Sequence, residues 1–220
     1  SRLSLPDALP IWLEITHHRL PLAPPFCAAW DGRARTHFDA TMVRVTDDEG
    51  RQGVGSGDLM LGFDGHEDLF VGQDPLTLER HNKVLSHIDF HYGRCWPLDI
   101  ALWDLAGKIK DQPIWRMLGG SEPSVPVYAS SGALHDPSQL ADLAAQFLDQ
   151  GFPAMQIRFR SRESGGWRED IKSLEAVRAR VGDKLSLMVD CNQGWQMPWD
   201  TDPCWTFEDA LPVAKELERL

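Results

Sequence analysis

The second half of the sequence repeats one pattern three times: a short apolar segment followed by a longer amphipathic one. Each repeat is about 30 residues long, which is the length of a βα unit. The predicted strands cover residues 125–129, 154–159 and 185–189, and the predicted helices cover 137–150, 167–181 and a segment opening at Thr206. Strands that alternate with helices at this spacing indicate a parallel sheet or a βα-barrel.

The first half has a different pattern. Residues 41–46 alternate in polarity, Asp47 to Gly50 form a turn, and residues 52–55 resume a strand, so we expect a hairpin. Later apolar residues recur at helical spacing, at Leu98, Ala101, Leu102, Leu105 and Ile109. Strands followed by helices make residues 12–120 an α+β domain, and residues 121–220 a separate βα domain.

Composition excludes several classes of function. The 220 residues carry a formal charge of −11, which argues against binding to nucleic acid or to an anionic membrane surface. No run approaches the roughly 18 apolar residues of a transmembrane helix. The four cysteines show no C-x-x-C spacing, so a disulfide framework or zinc finger is not expected, and a cytoplasmic location fits best.

The two ends of the sequence are unusual. Residues 1–11 (SRLSLPDALPI) do not have the pattern of a signal peptide, and residues 7–11 look like a translated sequencing adapter. We therefore expect residues 1–11 to be a non-native leader, the alternative being a genuine disordered one. The other end, Leu220, lies within a run of good helix formers without a C-cap, so the sequence is expected to stop within an element.

Several motifs resemble the mandelate racemase and muconate-lactonizing branch of the enolase superfamily. They are the segments 101–108 (ALWDLAGK), 118–120 (LGG), 127–132 (VYASSG) and 189–195 (VDCNQGW), together with Pro113 and Gly151-Phe152. The resemblance implies an α+β capping domain followed by an incomplete TIM-like (β/α)7β barrel. Because a complete TIM barrel needs eight strands and about 250 residues, only the first three βα units would be present.

The resemblance also implies a function. A full-length member of the family binds Mg²⁺ through three carboxylates, removes the proton α to the carboxylate of a small-molecule substrate, and is expected to be a homo-oligomer. We favour dehydration of an acid sugar. A racemase, epimerase or cycloisomerase is the alternative within the family, and a non-catalytic paralogue is the alternative outside it. The 220 residues alone are expected to be inactive.

Asp190 is the strongest candidate site residue. It directly follows an apolar strand, at the end where barrel active sites are built, and Mg²⁺ prefers oxygen ligands. The resemblance makes Asp190 the first metal ligand; a turn or helix-capping aspartate is the alternative. Asn192, two residues further, is a candidate for substrate binding or an ordinary loop residue.

Gln156 and Arg158 depart from the family pattern. Many members have Lys-x-Lys on this strand, with the second lysine as general base, and a spacing of two places both side chains on one face. Both residues are catalytic candidates. Arg158 stays protonated and is a poor base, but it can bind a carboxylate and stabilise enediolate charge, whereas Gln156 brings hydrogen bonds without charge. Three interpretations stay open: the base lies on later strands, Arg158 is an unusual base, or activity is lost. Alternatively, Arg158 only satisfies an acid at the barrel mouth.

Three residues of the first half are candidates for contact with the substrate. Residues 21–30 resemble the mobile loop that sets specificity in this family, which makes Phe26 and Trp30 candidates to cover a ligand. His17 lies near the start of the capping domain and is a further candidate. For each of them an ordinary surface or core role is the alternative.

Overall fold

The computed structural model describes residues 11–159, 166–192 and 194–220. Its strands are β1 (Trp12–Phe26), β2 (Arg35–Thr46), β3 (Gln52–Gly57), β4 (Ala129–Ser130), β5 (Ala154–Arg158) and β6 (Ser186–Asp190). Its helices are α1 (Leu78–His91), α2 (Trp96–Ile109), α3 (Ile114–Met117), α4 (Pro137–Asp149), α5 (Trp167–Val181) and α6 (Phe207–Arg219). None of the helices described is both long and apolar enough to cross a bilayer.

The chain divides into two compact units. The first contains the described residues up to Pro21 and the segment His37–Ser124. The second contains Val125–Leu220 and also Leu22–Thr36, so the end of β1, the loop after it and the start of β2 belong with the βα repeats.

The first unit is a three-stranded sheet, in the order β1-β2-β3, covered by helices. β2 and β3 are antiparallel, with Val43 opposite Gly55, as expected from the hairpin pattern. The turn between them is held by Asp47, whose carboxylate accepts hydrogen bonds from the backbone nitrogens of Glu49 and Arg51. The inward face of the sheet and the apolar face of α2 form one core.

Ile11, the last residue of the expected leader, belongs to the first core. Its side chain is fully buried in the first core, and its carbonyl oxygen accepts a hydrogen bond from the backbone nitrogen of Gly72 at 3.0 Å. The folded chain therefore includes a residue that the sequence pattern assigned to the leader. The rest of that expected leader, residues 1–10, lies outside the described residues.

The second unit is a parallel sheet in the order β4-β5-β6, with α4 and α5 packed against each other and against β5. α4 begins with a capping box between Asp136 and Gln139, and Gly151 follows it with a φ of 87°. A positive φ costs glycine little, which explains the end of the helix. α6 also begins with a capping box, between Thr206 and Asp209, and continues through Pro212.

Two expectations for this unit were wrong in detail. The predicted strand at 125–129 is reduced to Ala129–Ser130, and Val125 is 73% exposed. Pro126 lacks a backbone N–H, which removes a ladder hydrogen bond from this segment. The strand expected to be buried on both faces, β6, is only half-buried, and β5 is its sole partner strand among the described residues.

Candidate functional site

The candidate site lies where β5 and β6 end. Arg158 and Asp190 are the last residues of these parallel strands and are direct partners in the register. Nη1 of Arg158 donates a hydrogen bond to Oδ2 of Asp190 at 2.8 Å, with side-chain exposures of 19% and 34%. The carboxyl ends of adjacent strands thus present one cation and one anion in direct contact.

Asn192 completes this cluster. Its backbone has a φ of 54°, and this turn brings its N–H to 3.1 Å from Oδ1 of Asp190. Its side-chain nitrogen Nδ2 donates to the carbonyl oxygen of Asp190 at 2.9 Å, while its Oδ1 accepts a bond from Nη1 of Arg158 at 3.3 Å. Both carboxylate oxygens of Asp190 therefore already accept hydrogen bonds, and the buried Asn192 holds that arrangement in place.

Trp30 lies over the arginine. The Cζ atom of Arg158 is 5.1 Å from the centroid of the Trp30 ring, within the range of a cation–π interaction. The centroid of the Trp195 ring lies 6.3 Å from that of Trp30, so a second indole lies beside the one that contacts the arginine. Among the described residues Nε of Arg158 is buried without a hydrogen-bond partner, so the guanidinium keeps unused capacity to donate.

The segment that carries Trp30 is tied to the second unit by contacts of its own. Ala28 pairs with Ala133 in an antiparallel bridge, and the backbone nitrogen of Leu134 donates to the carbonyl oxygen of Cys27. These bonds hold the residues before Trp30 against the loop that follows β4. After Trp30, the buried Asp31 accepts a hydrogen bond from the backbone nitrogen of Arg33 at 2.9 Å.

The neighbouring thiol is poorly ionised. Burial raises the pKa of Cys191 to about 11, and the negative charges of Asp190 and Asp170 act in the same direction. A thiol with such a pKa remains protonated at neutral pH and is a weak nucleophile and metal ligand. Cys191 therefore does not add a reactive group to the site.

The structure places some of the sequence-based candidates together and others apart from them. The structure brings together Arg158, Asp190, Asn192 and Trp30. Gln156 is half-buried on β5, two residues before Arg158, and its backbone oxygen accepts a hydrogen bond from Ser131.

The other two candidates have different surroundings. Phe26 is half-buried at the end of β1. His17 lies in the sheet of the first unit, with Nδ1 3.0 Å from Oγ1 of the buried Thr41.

The described residues do not form a magnesium site. Within them, no group of three or more histidine, cysteine, aspartate or glutamate side chains is arranged to hold a metal. Asp190 has the oxygen donors that Mg²⁺ prefers, but its Oδ2 is bonded to a guanidinium and its Oδ1 to a backbone N–H. A single, already paired carboxylate does not fit the near-octahedral requirement of Mg²⁺.

Comparison with known proteins places this arrangement in a family. A parallel βα unit with charged residues at the carboxyl ends of its strands is the class of fold that builds barrel active sites. Residues 139–220 match the family model described as "Enolase C-terminal domain-like". The chain belongs to the enolase superfamily, among relatives of the mandelate racemase type, as the motifs in its sequence predicted.

Individual relatives catalyse different reactions. The chain is 28% identical over 192 residues to the N-succinyl-L-Arg/Lys racemase of Bacillus cereus, covering 81% of this chain and 50% of the relative. It is 30% identical over 229 residues to the L-talarate/galactarate dehydratase of Salmonella typhimurium, covering 94% and 54%. A racemase from Streptomyces coelicolor A3(2), solved with bound magnesium, superposes with a TM-score of 0.77 at 27% identity, covering 94% and 59%. The chain thus spans about half the length of the curated relatives it matches.

Two contacts of the site were not anticipated from the sequence. Trp195 was read only as part of a strand-end motif, yet it lies beside Trp30. Arg33 lies with its Cζ 4.2 Å from the Trp199 ring centroid, which joins the segment after Trp30 to the loop after β6. The clustering of Trp195, Trp199 and Trp205 after a βα strand was the available signal, since exposed tryptophans are enriched at binding surfaces.

Proposed function

We propose that the chain is part of a Mg²⁺-dependent enzyme that removes the proton α to a carboxylate, with dehydration of an acid sugar as the preferred reaction. The observation that carries the proposal is the Arg158–Asp190 pair at the carboxyl ends of adjacent parallel strands, with Trp30 over it. The talarate/galactarate dehydratase supports the choice of an acid sugar as substrate.

Arg158 has an electrostatic role in this proposal. A guanidinium stays protonated in proteins and is a poor general base, but it stabilises negative charge that develops on a carboxylate when the α-proton leaves. Its buried Nε and its contact with Trp30 limit access of water to that charge. Gln156, on the same strand, would contribute neutral hydrogen bonds.

We further propose that the complete active site needs residues outside these 220. β6 has one partner strand among the described residues, while a closed barrel pairs every strand. The general base and the further carboxylates that would join Asp190 in binding Mg²⁺ would then lie on later strands. On this proposal the 220 residues alone have no turnover.

Racemisation or epimerisation is the second candidate. It is favoured by the 28% identity to the N-succinyl-L-Arg/Lys racemase, and it shares the first chemical step with dehydration. The two reactions differ in the fate of the carbanionic intermediate, which is either reprotonated or loses a hydroxide.

The test is to incubate the protein made from the complete reading frame with acid sugars and with N-acylated amino acids, in D₂O containing Mg²⁺. Exchange of the α-proton for deuterium, followed by proton NMR, reports the shared step; formation of a 2-keto acid reports dehydration. This complete protein should exchange the α-proton of its substrate, and its Asp190→Asn variant should not. Lack of exchange with every substrate in the complete protein would favour a non-catalytic paralogue.

A further inference from the structure

The loop that follows β6 carries tryptophans that are ordered and yet exposed. Residues 194–206 form this tryptophan loop, in which the Trp195 and Trp199 side chains are 45% and 40% exposed. Burial of a side chain as large as an indole stabilises a protein, and small-molecule sites are rich in aromatic side chains. Exposed indoles beside a candidate site therefore indicate a surface that a ligand covers. The contacts of each ring separate an anchoring role from a binding role.

Trp199 is held by a turn and by a cation. The backbone nitrogen of Asp200 donates to the carbonyl oxygen of Met197 at 3.0 Å, and its carboxylate accepts a bond from the backbone nitrogen of Met197 at 2.7 Å. Pro198 lies at the second position of this turn, where its fixed φ is favourable. Cζ of Arg33 lies 4.2 Å from the Trp199 ring centroid, so the guanidinium covers this indole. Trp199 therefore anchors the tryptophan loop to the residues before β2.

Trp195 has different neighbours. Its ring centroid lies 6.3 Å from that of Trp30, with 46° between the two ring planes, so the indoles form a corner. The Trp30 ring also contacts the guanidinium of Arg158, whose Cζ is 5.1 Å from the ring centroid. All three residues belong to the second unit. The corner is therefore one indole ring away from the group proposed to stabilise the charge of the substrate carboxylate.

The charges around the corner decide which kind of group it accepts. The face of an aromatic ring carries the negative part of its quadrupole, so two indole faces are poor neighbours for a second carboxylate. Trp30 is already in a cation–π contact with Arg158, which opposes another cation at the same ring. An uncharged group with apolar surface, such as a methyl group, is compatible with both neighbours.

We infer that the corner between Trp30 and Trp195 is a subsite for an uncharged, apolar end of the substrate, and that Trp199 and Arg33 position it. The inference rests on the proposed acid-sugar substrate, because it places the carboxylate end at Arg158. It narrows that class to sugar monoacids, and among them it favours those whose last carbon is a methyl group. A diacid, which has a second carboxylate at that end, is disfavoured.

The test compares three compounds that differ only at the sixth carbon: 6-deoxy-D-galactonate, D-galactonate and galactarate. They end in a methyl group, a hydroxymethyl group and a carboxylate. Saturation-transfer-difference NMR with the 220-residue chain gives both the affinity and the ligand protons that contact the protein. The 6-deoxy acid should bind most tightly and galactarate least, and the methyl protons should receive the largest transfer. Absence of transfer to all three compounds, or equally tight binding of galactarate, would overturn the inference.

Substitution of Trp195 tests the corner itself. Trp195→Ala should weaken binding of the 6-deoxy acid about fivefold, which is the scale of one aromatic contact. Trp195→Phe keeps a ring and should retain most of the affinity. The matched control is Trp12→Ala, which removes an indole that is 52% exposed in the first unit and should leave binding unchanged. Equal affinity in Trp195→Ala and in the unchanged chain would contradict the inference.

Substitution of Arg33 tests the positioning role. Arg33→Gln removes the cation from the Trp199 ring and should reduce saturation transfer to the methyl protons, whereas Arg33→Lys keeps a cation and should restore it. The melting temperatures of both variants should stay close to that of the unchanged chain, since Arg33 is exposed. A loss that Arg33→Lys does not restore would contradict the positioning role. None of these readouts involves turnover, so a chain that does not bind the 6-deoxy acid and a complete protein without deuterium exchange are separate results.

Discussion

Gly55 lies directly against Pro97 in the core of the first unit. A Cβ atom added to Gly55 would overlap the carbonyl oxygen of Pro97 and lie 2.8 Å from the backbone nitrogen of Ala101. Both neighbours are backbone atoms of α2, which cannot move as a side chain can. The strand β3 and the helix α2 therefore pack as closely as a residue without a side chain allows.

Gly55→Ala should destabilise the first unit by about 1–3 kcal/mol, the usual cost of forcing an extra carbon into a packed core. Urea unfolding followed by circular dichroism measures the change. Gly32→Ala is the control, because a Cβ at Gly32 would have no atom within 4 Å. Equal stability of the two variants would mean that α2 moves away from the sheet more easily than the contact suggests.

His81 should make the stability of the first unit depend on pH. Burial lowers the pKa of His81 below its ordinary value of 6.5, and the adjacent Arg80 acts in the same direction. Below pH 6.5 the unfolded chain therefore binds a proton more readily than the folded one. The free energy of unfolding should fall as the pH falls from 6.5 towards the folded pKa, by at most about 1.4 kcal/mol per pH unit.

The measurement is urea unfolding between pH 7.5 and pH 5.5. His81→Gln should flatten the dependence, since glutamine does not titrate, although the variant loses the stacking of His81 on Phe70. The control His87→Gln changes an exposed histidine of the same helix and should keep the wild-type slope. An unchanged slope in His81→Gln would assign the pH dependence to other groups.

The cysteines should differ in reactivity. Burial raises the pKa of Cys95 to about 12 and that of Cys191 to about 11, whereas Cys27 is exposed. Because the thiolate is the reactive form, iodoacetamide at pH 7.5 should label Cys27 first and leave Cys95 unlabelled until the chain unfolds. Peptide mass spectrometry identifies the labelled positions, and rapid labelling of Cys95 in the folded chain would contradict the packing around it.

Asp190→Asn should lower the stability of the second unit by about 1–2 kcal/mol, because the half-buried guanidinium of Arg158 loses a charged acceptor. Thermal unfolding measures the effect. Asp39→Asn breaks an ion pair in the first unit whose arginine is 70% exposed, so it should change stability little. A larger loss of stability in Asp39→Asn than in Asp190→Asn would show that exposure of the arginine does not decide how much each ion pair stabilises the chain.

The sequence predicted the elements whose patterns are local. α5 covers residues 167–181 as expected, because its apolar positions follow the helical period and pack on one side. The strand expected at 125–129 is only two residues long. Pro126 cannot donate to a ladder, and the apolar composition of the segment does not show that Val125 and Tyr128 remain exposed. Burial depends on partners that a local pattern does not specify.

The candidate site could be predicted only in part, for a similar reason. Arg158 meets Asp190 because they are register partners on adjacent parallel strands, and the βα repeat in the sequence predicted both strands. The position of Trp30 beside Arg158 joins residues more than a hundred positions apart, and only the resemblance to a family with a specificity loop suggested it. For its neighbour Trp195 the available signal was the clustering of Trp195, Trp199 and Trp205 after a βα strand.

Because Leu22–Thr36 belongs to the second unit, a single cut cannot divide the chain into its two units. The polypeptide passes from one unit to the other three times: after Pro21, after Thr36 and after Ser124. A single cleavage at Ser124 would therefore leave the fragment Val125–Leu220 without Trp30, Asp31 and the Cys27–Leu134 hydrogen bond. A gene fusion or domain exchange at that junction would transfer Trp195 without Trp30. A chimera that preserves their contact must therefore take Leu22–Thr36 and Val125–Leu220 from the same parent.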